Sequence, residues 1–290
     1  MKKYMYVLLL SILGWTVQAN LTHAKDNTIL HSTPVLKVND YVVAFTYPKP
    51  PYIDEHQRLM VPLRAVAEIL GAKVSYDPAR KSASLSRGQS NLNVTIGSSR
   101  AFFNEQEKGM DTVPVVSEGA VFVPLRWITE SLQLKLNHHN LGVVTVIDPQ
   151  ALKAGRFFYL SDDDRFGIQR LSNPYVFQIS DFTVSPATLS AFSSSQGYEY
   201  AQSLQFKAKN ITGHDLPQGA ADFHMIISNS SDGVFFNDTE MTSVDIKDKV
   251  RPAIQKGGLL RADTQFTVQF KKSNSLSFVL VAPRSLKVTP

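Results

Sequence analysis

Two stretches of the chain carry the same apolar pattern at helical spacing, each preceded by a short β-like run and a proline. In the first, Leu59, Met60 and Val61 lead to Pro62, and Leu63, Val66, Ala67 and Leu70 recur at i, i+3, i+4 and i+7. That spacing puts four apolar side chains on one face of a two-turn helix. Proline suits the first turn, where a helix start leaves the N–H unpaired anyway, and Gly71 offers a left-handed stop. In the second stretch, Val123, Pro124, Leu125, Arg126, Glu130 and Leu132 match Val61, Pro62, Leu63, Arg64, Glu68 and Leu70 at an offset of 62 residues. Gln133 stands where Gly71 closes the first pattern, so the second helix end needs another solution, and Trp127 and Ile128 make its face bulkier.

Elsewhere the period is two. Residues 35–43 alternate across an Asn39-Asp40 turn, and the prolines among residues 47–52 favour an extended, edge-like run. Strand patterns at 73–76, 82–87 and 92–96 follow the first helix, and 143–147 follows the second. Two copies are too few for a solenoid and suit one compact domain with two similar halves around a shared core. From residue 175 the pattern is strands alone, at 176–179, 204–208, 223–227, 266–270 and 276–281, separated by Gly, Asn, Asp and Ser clusters such as 229–233. Such short strands with turn clusters imply an antiparallel β-sandwich. The expected class is therefore α+β: a duplicated strand-helix-strand module at 35–149, with repeats at about 41–97 and 103–148, then a linker at 150–174 and a sandwich at 175–290.

Composition narrows the function classes. A chain of 290 residues with 43% hydrophobic and 19% charged side chains belongs to folded protein and can hold two cores. Lys2 and Lys3 followed by an apolar stretch from Met5 to Trp15 read as an export signal over residues 1–24, either cleaved at small residues, after Ala19 or after Ala24, or retained as an anchor. Removal of Lys2 and Lys3 lowers the formal charge from +5 to +3. The remaining cations are scattered among acids, which argues against a nucleic-acid groove. No second apolar stretch of spanning length appears, so the mature chain is expected to be water-soluble and secreted or held in the cell envelope. With no cysteine, an exported fold has neither disulfides nor thiolate metal sites and depends on packing.

The phrase over residues 59–74, with the Pro50-Pro51-Tyr52-Ile53 lead and the second Val123-Pro124-Leu125-Arg126, closely resembles the stalk-type domain named for the N-terminus of copper amine oxidases, over about residues 35–149. The resemblance implies a small α+β appendage of exported bacterial proteins, Firmicutes-like here, without chemistry of its own. The copper enzyme's catalytic domain is much larger than the remaining chain, which also lacks a grouped set of histidines, so neither copper nor the quinone cofactor is expected, nor any other cofactor. The stretch 204–283, with Lys209-Asn210-Ile211-Thr212-Gly213 after a strand, is similar to immunoglobulin-like domains of exported Gram-positive proteins.

Arg64 and Arg126 are the candidate specific residues, because identical cations at matching places can clamp an anion. Each also stands four residues before a glutamate, Glu68 or Glu130, and can pair within its helix or across the two halves. Tyr47, Tyr52 and Trp127 are candidates for an aromatic surface binding glycan or peptide, or else core and edge cover. Adjacent His138 and His139 on a strand point to opposite faces and form no metal site there, and Asp162-Asp163-Asp164 lacks the alternating ligands of a calcium loop. The serines at 190–195 sit in a loop pattern, and the Gly-x-Ser-x-Gly elbow is absent. The expectation is a non-catalytic, exported binding or spacer protein whose partner is cell-wall glycan or another envelope protein. The alternative is a secreted hydrolase acting on cell wall or protein, its acids brought together by folding.

Overall fold

The computed structural model describes residues 34–139, 143–153, 177–185, 188–189, 199–218, 221–229, 234–238, 252–269 and 276–285. The expected signal peptide, most of the expected linker, Asp162-Asp163-Asp164 and the serines at 190–195 lie outside the described residues. β1 (Val35–Val38) and β2 (Tyr41–Thr46) flank the Asn39-Asp40 turn, where Asn39 has a φ of 51°. β3 (Tyr52–Ile53) and β4 (Leu59–Pro62) follow, and β4 runs straight into α1 (Leu63–Ile69). An antiparallel meander comes next: β5 (Lys73–Asp77), β6 (Ser82–Arg87), β7 (Ser90–Thr95), β8 (Arg100–Phe103) and β9 (Gln106–Gly109). β10 (Val115–Ser117) and β11 (Ala120–Pro124) form a hairpin that enters α2 (Leu125–Ser131), followed by β12 (Lys135–His139) and β13 (Val143–Ile147). The later chain supplies β14 (Phe177–Val184), β15 (Thr188–Leu189), β16 (Glu199–Asn210), β17 (Ala221–Asn229), β18 (Val234–Asp238), β19 (Leu259–Gln269) and β20 (Leu276–Ser285). Two short helices and several sheets among the described residues make the architecture α+β or mostly β. No described helix is long and apolar enough to cross a membrane.

Both helices stop in the same way, although their closing residues differ. Ala72 N–H donates to Ala67 O at 2.8 Å and Gly71 N–H to Glu68 O at 3.0 Å, with Gly71 at φ 68°. Leu134 N–H donates to Thr129 O at 2.7 Å and Gln133 N–H to Glu130 O at 3.1 Å, with Gln133 at φ 56°. This is the paired 6→1 and 5→2 closure of a Schellman end. Gln133 thus solves the second terminus by adopting the left-handed conformation itself, at a cost of about 1 kcal/mol for its Cβ.

β4 and β11 pair antiparallel at the heart of the first half, with Val61 opposite Val123, Pro62 opposite Phe122 and Met60 opposite Pro124. Val61 and Val123, matched by the 62-residue offset, therefore face one another at the centre of the pairing, and the matched positions on either side exchange places across it. α1 lies against β11 and α2 against β4, so each helix covers the strand that introduces the other.

β20, from the end of the chain, pairs with β2, and the order β12-β13-β1-β2-β20-β17-β18 makes one seven-stranded sheet. That sheet walls two cores. Val38, Val43, Ile226, Phe278 and Leu280 pack with both helices and the meander, whereas Val42, Ala44, Met225, Ile227, Val279 and Val281 pack with Leu204, Phe206 and Ala208 of β16. Burial on both faces explains why residues 278–282 are continuously apolar, where a half-exposed strand would alternate. Ala151 and Leu152, expected to begin a linker, are buried in the first core, and Leu152 N–H donates to Ile69 O at 3.0 Å.

A buried polar cluster ties the sheet to α1. Asp148 receives Arg87 Nη1 and, at 3.0 Å, the N–H of Gln150, while Asn39 exchanges two side-chain hydrogen bonds with the Asp148 backbone at 2.8 and 2.9 Å. Arg87 Nη1 also donates to Leu70 O at 2.8 Å. With Leu152 on Ile69 O and the two closing bonds, each of the four carbonyls from Ala67 to Leu70 that a helix end leaves open has a donor.

Candidate functional site

A cleft of about 270 Å³ opens beside α1. Leu63, Arg64 and Glu68 form its helical wall, Val74 and Tyr76 of β5 and Ala83 of β6 a second, and Val116, Gly119, Ala120 and Val121 of the β10-β11 hairpin a third. Tyr47 and Ser277 close one end, joined by a 2.8 Å bond from Tyr47 N–H to Ser277 O. The position of Tyr47 is thus set by β20, from the far end of the chain. Large apolar or aromatic groups stand exposed at its rim: Tyr47 at 46%, Tyr76 at 41% and Val116 at 51%. Arg64 is also exposed and makes no ion pair with a carboxylate among the described residues. Glu68, one turn on and half-buried, is the carboxylate among the lining residues.

Of the residues singled out in the sequence, Tyr47 and Arg64 meet here and the others do not. Trp127 is buried, its ring 5.1 Å from that of Phe103, so it packs the core and offers no binding surface. The bulk that set the second helix apart in the sequence fills space inside. Tyr52 lies 5.5 Å from Phe122, with Lys49 Nζ 4.3 Å above its ring, and serves as cover for the edge of β4. Burial, and secondarily Asp54, push the Tyr52 hydroxyl above the usual tyrosine range. Arg126 is exposed at the start of α2 and does not line the cleft. His138 and His139 occupy consecutive positions of β12, opposite Val144 and Val143.

On the α2 side a second constellation stands where the cleft is on the α1 side. Arg58, just before β4, pairs with Asp111, and Asp54 of the same turn accepts from Arg58 N–H at 2.7 Å and from Thr112 Oγ1 at 2.7 Å. The Arg58 hydrogen bond chiefly, with lesser help from the Arg58 and Arg126 charges, holds the Asp111 carboxyl below the usual range against a smaller opposing effect of burial. Sequence reasoning missed Tyr76, Val116 and the Arg58–Asp111 pair. Val116 belongs to a three-residue strand with no legible alternation, and Tyr76 was read as one residue of a strand.

β4 and β11 running side by side into their helices, each helix opened by Pro-Leu-Arg, is the feature that a family comparison meets. Residues 37–146 match the copper amine oxidase N-terminal domain. This copper amine oxidase N-terminal domain match takes in both helices and most of the cleft, and leaves β14 to β20 outside. A protein of Brevibacillus choshinensis described as a protease inhibitor is 28% identical over 123 residues, which is 41% of this chain. The match spans 37% of that relative's length.

Proposed function

We propose that this is an exported, non-catalytic binding protein of the cell envelope or extracellular space. In this reading a duplicated stalk-type module at 35–149 is joined to an immunoglobulin-like sandwich at 175–290, and the cleft beside Arg64 is the binding face. The observation that carries the reading is the cleft itself, where a cation without a carboxylate partner among the described residues stands between exposed Tyr47, Tyr76 and Val116. Its chemistry supports binding over turnover. Hydrolysis by paired acids needs two carboxyl groups flanking one bond, and among the described residues the lining contributes Glu68. The family match supports an appendage role, and the name of the Brevibacillus relative supports a protein that engages another protein without consuming it.

The test is co-sedimentation of the full mature chain with the host's envelope fraction. Saturable binding that Tyr47→Ala weakens several-fold is expected. Release of soluble fragments from wall or protein substrate, abolished by Glu68→Gln, would instead establish the hydrolase, and absence of binding would leave a spacer.

A further inference from the structure

We propose that an extended segment of a partner protein adds as an antiparallel strand to the outer edge of β10, exchanging main-chain hydrogen bonds with Val116 and sending alternate side chains into the cleft. The proposal rests on the binding reading above and specifies the kind of partner and the way it is held.

The turn between β10 and β11 fixes which groups of β10 are open. Glu118 and Gly119 have φ of 51° and 82°, the two left-handed residues of a type I′ turn, and Ser117 lies opposite Ala120. Such a two-residue turn closes on a pair that exchanges both main-chain hydrogen bonds. The next pair, Val116 with Val121, is therefore a non-bonded one. The N–H and C=O of Val116 point away from β11, on the side where β10 ends its sheet. Among the described residues, β11 is the strand that β10 pairs with. Upstream, Pro114 has no N–H and its carbonyl already accepts from Gly97 N–H at 2.8 Å, so an added strand is confined to a few residues. All pairs in this sheet are antiparallel, and antiparallel addition is the more stable kind.

Other edges of the first half are guarded. β5, β9 and β12 end their sheets and carry Lys73, Lys108 and Lys135. Charge on an edge, lysine above all, keeps it from pairing with other chains. β10 reads Val115-Val116-Ser117, without a charge, and Val116 is 51% exposed. The matched edge is β3, where Ile53 lies opposite Leu59 as Val116 lies opposite Val121, so Arg58 and Ala120 hold equivalent places. That strand has two residues, and Lys49 Nζ stands 4.3 Å over its Tyr52 ring. β10 thus combines an open main-chain pair, an exposed β-branched side chain and no guarding charge.

The cleft supplies the side-chain contacts. Residues directly opposite in an antiparallel pair share a face. The residue bonded to Val116 therefore sends its side chain to the cleft that Val116 and Val121 line together with Leu63, Val74 and Ala83. These apolar walls suit an aliphatic side chain. A sugar chain lacks the regular N–H and C=O groups that complete a strand edge, which favours polypeptide over glycan.

The experiment uses the full mature chain with isotope-labelled valine and a fluorescein-labelled, capped peptide, Gln-Val-Thr-Val-Thr-Val-Gln. Two further copies of the peptide are N-methylated, one on its valines and one on its threonines. Anisotropy gives the affinities, and NMR follows hydrogen exchange of the Val116 N–H. Expected are saturable binding and a slowing of Val116 exchange by about tenfold at saturation. Methylating the valines, whose N–H groups face β10, should weaken binding by about tenfold or more. Methylating the threonines, whose N–H groups face away, should leave it unchanged. Val116→Pro removes the outward N–H without taking a bond from β11 and should also weaken binding by about tenfold. Ala120→Arg, which puts on the cleft wall the side chain that the matched hairpin carries as Arg58, should weaken it too. Both variants are first shown to keep the wild-type melting transition, and if either does not, the methylated peptides decide. No binding, unchanged Val116 exchange, equal losses from the two methylated peptides, or undiminished binding by either folded variant would overturn the proposal. So would Val116 exchange that slows with protein concentration in the absence of peptide, which assigns the edge to a second copy. If envelope co-sedimentation persists while the peptide fails, the binding-protein reading stands and this inference falls.

Discussion

Replacing Asp148 by asparagine removes the charge that completes the buried cluster between the seven-stranded sheet and α1. The carboxylate is 2% exposed and the paired Arg87 side chain 21%. It accepts from both Arg87 and Gln150 N–H. An asparagine has one acceptor oxygen for these two donors and sets an NH2 group against one of them. Breaking a buried ion pair from one side costs about 3–5 kcal/mol, and the partial exposure of Arg87 places this case near 3. For a folded unit of this size that lowers Tm by about 6–10 °C. Urea unfolding followed by the fluorescence of buried Trp127 measures the loss directly. Replacing both partners, Arg87→Leu with Asp148→Leu, is expected to cost less than the sum of the two single changes, because neither charge is then left alone. A cost below about 1 kcal/mol for Asp148→Asn, or strict additivity in the double variant, would refute the cluster as the tie between sheet and helix.

Gln133→Gly relieves the left-handed strain at the end of α2 and is expected to stabilise the protein by about 1 kcal/mol, whereas Gly71→Gln should destabilise it comparably; thermal melts of both variants check the pair. Asn210 is buried and its amide serves the carbonyls of His214, Ile254 and Gln255, so Asn210→Ala is expected to cost about 2–3 kcal/mol by chemical denaturation. Asp111, held below its ordinary pKa, contributes stability above the unfolded value near 4 and loses it as pH falls through the folded value. Arg58→Gln should therefore flatten the acid limb of the Tm profile, and an NMR titration placing Asp111 at or above the usual range would contradict this. Residues 25–150 expressed alone lose the β20 partner of β2, so they should melt below the full chain and regain native Trp127 fluorescence on mixing with residues 165–290.

Much of the first half was legible because its signals are local. Pro62 followed by Leu63, Val66, Ala67 and Leu70, and Pro124 followed by Leu125, Ile128 and Leu132, placed both helices to within a residue. Alternation placed β6 to its ends, and Asn39-Asp40 fixed the β1-β2 turn. What escaped depends on long-range partners. β9 is exposed along its whole length and so carries no apolar alternation, and nothing near Val42 or Val279 reveals that strands more than two hundred residues apart share a sheet. The apolar run at 278–282 was the available hint, since a strand buried on both faces does not alternate. Gln133 hid its role because left-handed glutamine has no sequence signature. In the cleft, Arg64 and Tyr47 were legible as residue types. Their meeting was not, because it needs Tyr47 anchored to Ser277 and small residues at Gly119 and Ala120. Trp127 was misleading for the opposite reason, its size serving the core.

The claim that this protein works by binding at the open side of its paired strands is tested most directly by photo-cross-linking. The full mature chain carrying Val116→p-benzoylphenylalanine, or the same group at the exposed Phe102 of β8, is irradiated with the host's envelope fraction. A discrete protein adduct from position 116 that Ala120→Arg suppresses, with none from position 102, is the predicted result. Equal labelling from both positions, or an adduct unaffected by Ala120→Arg, would contradict it.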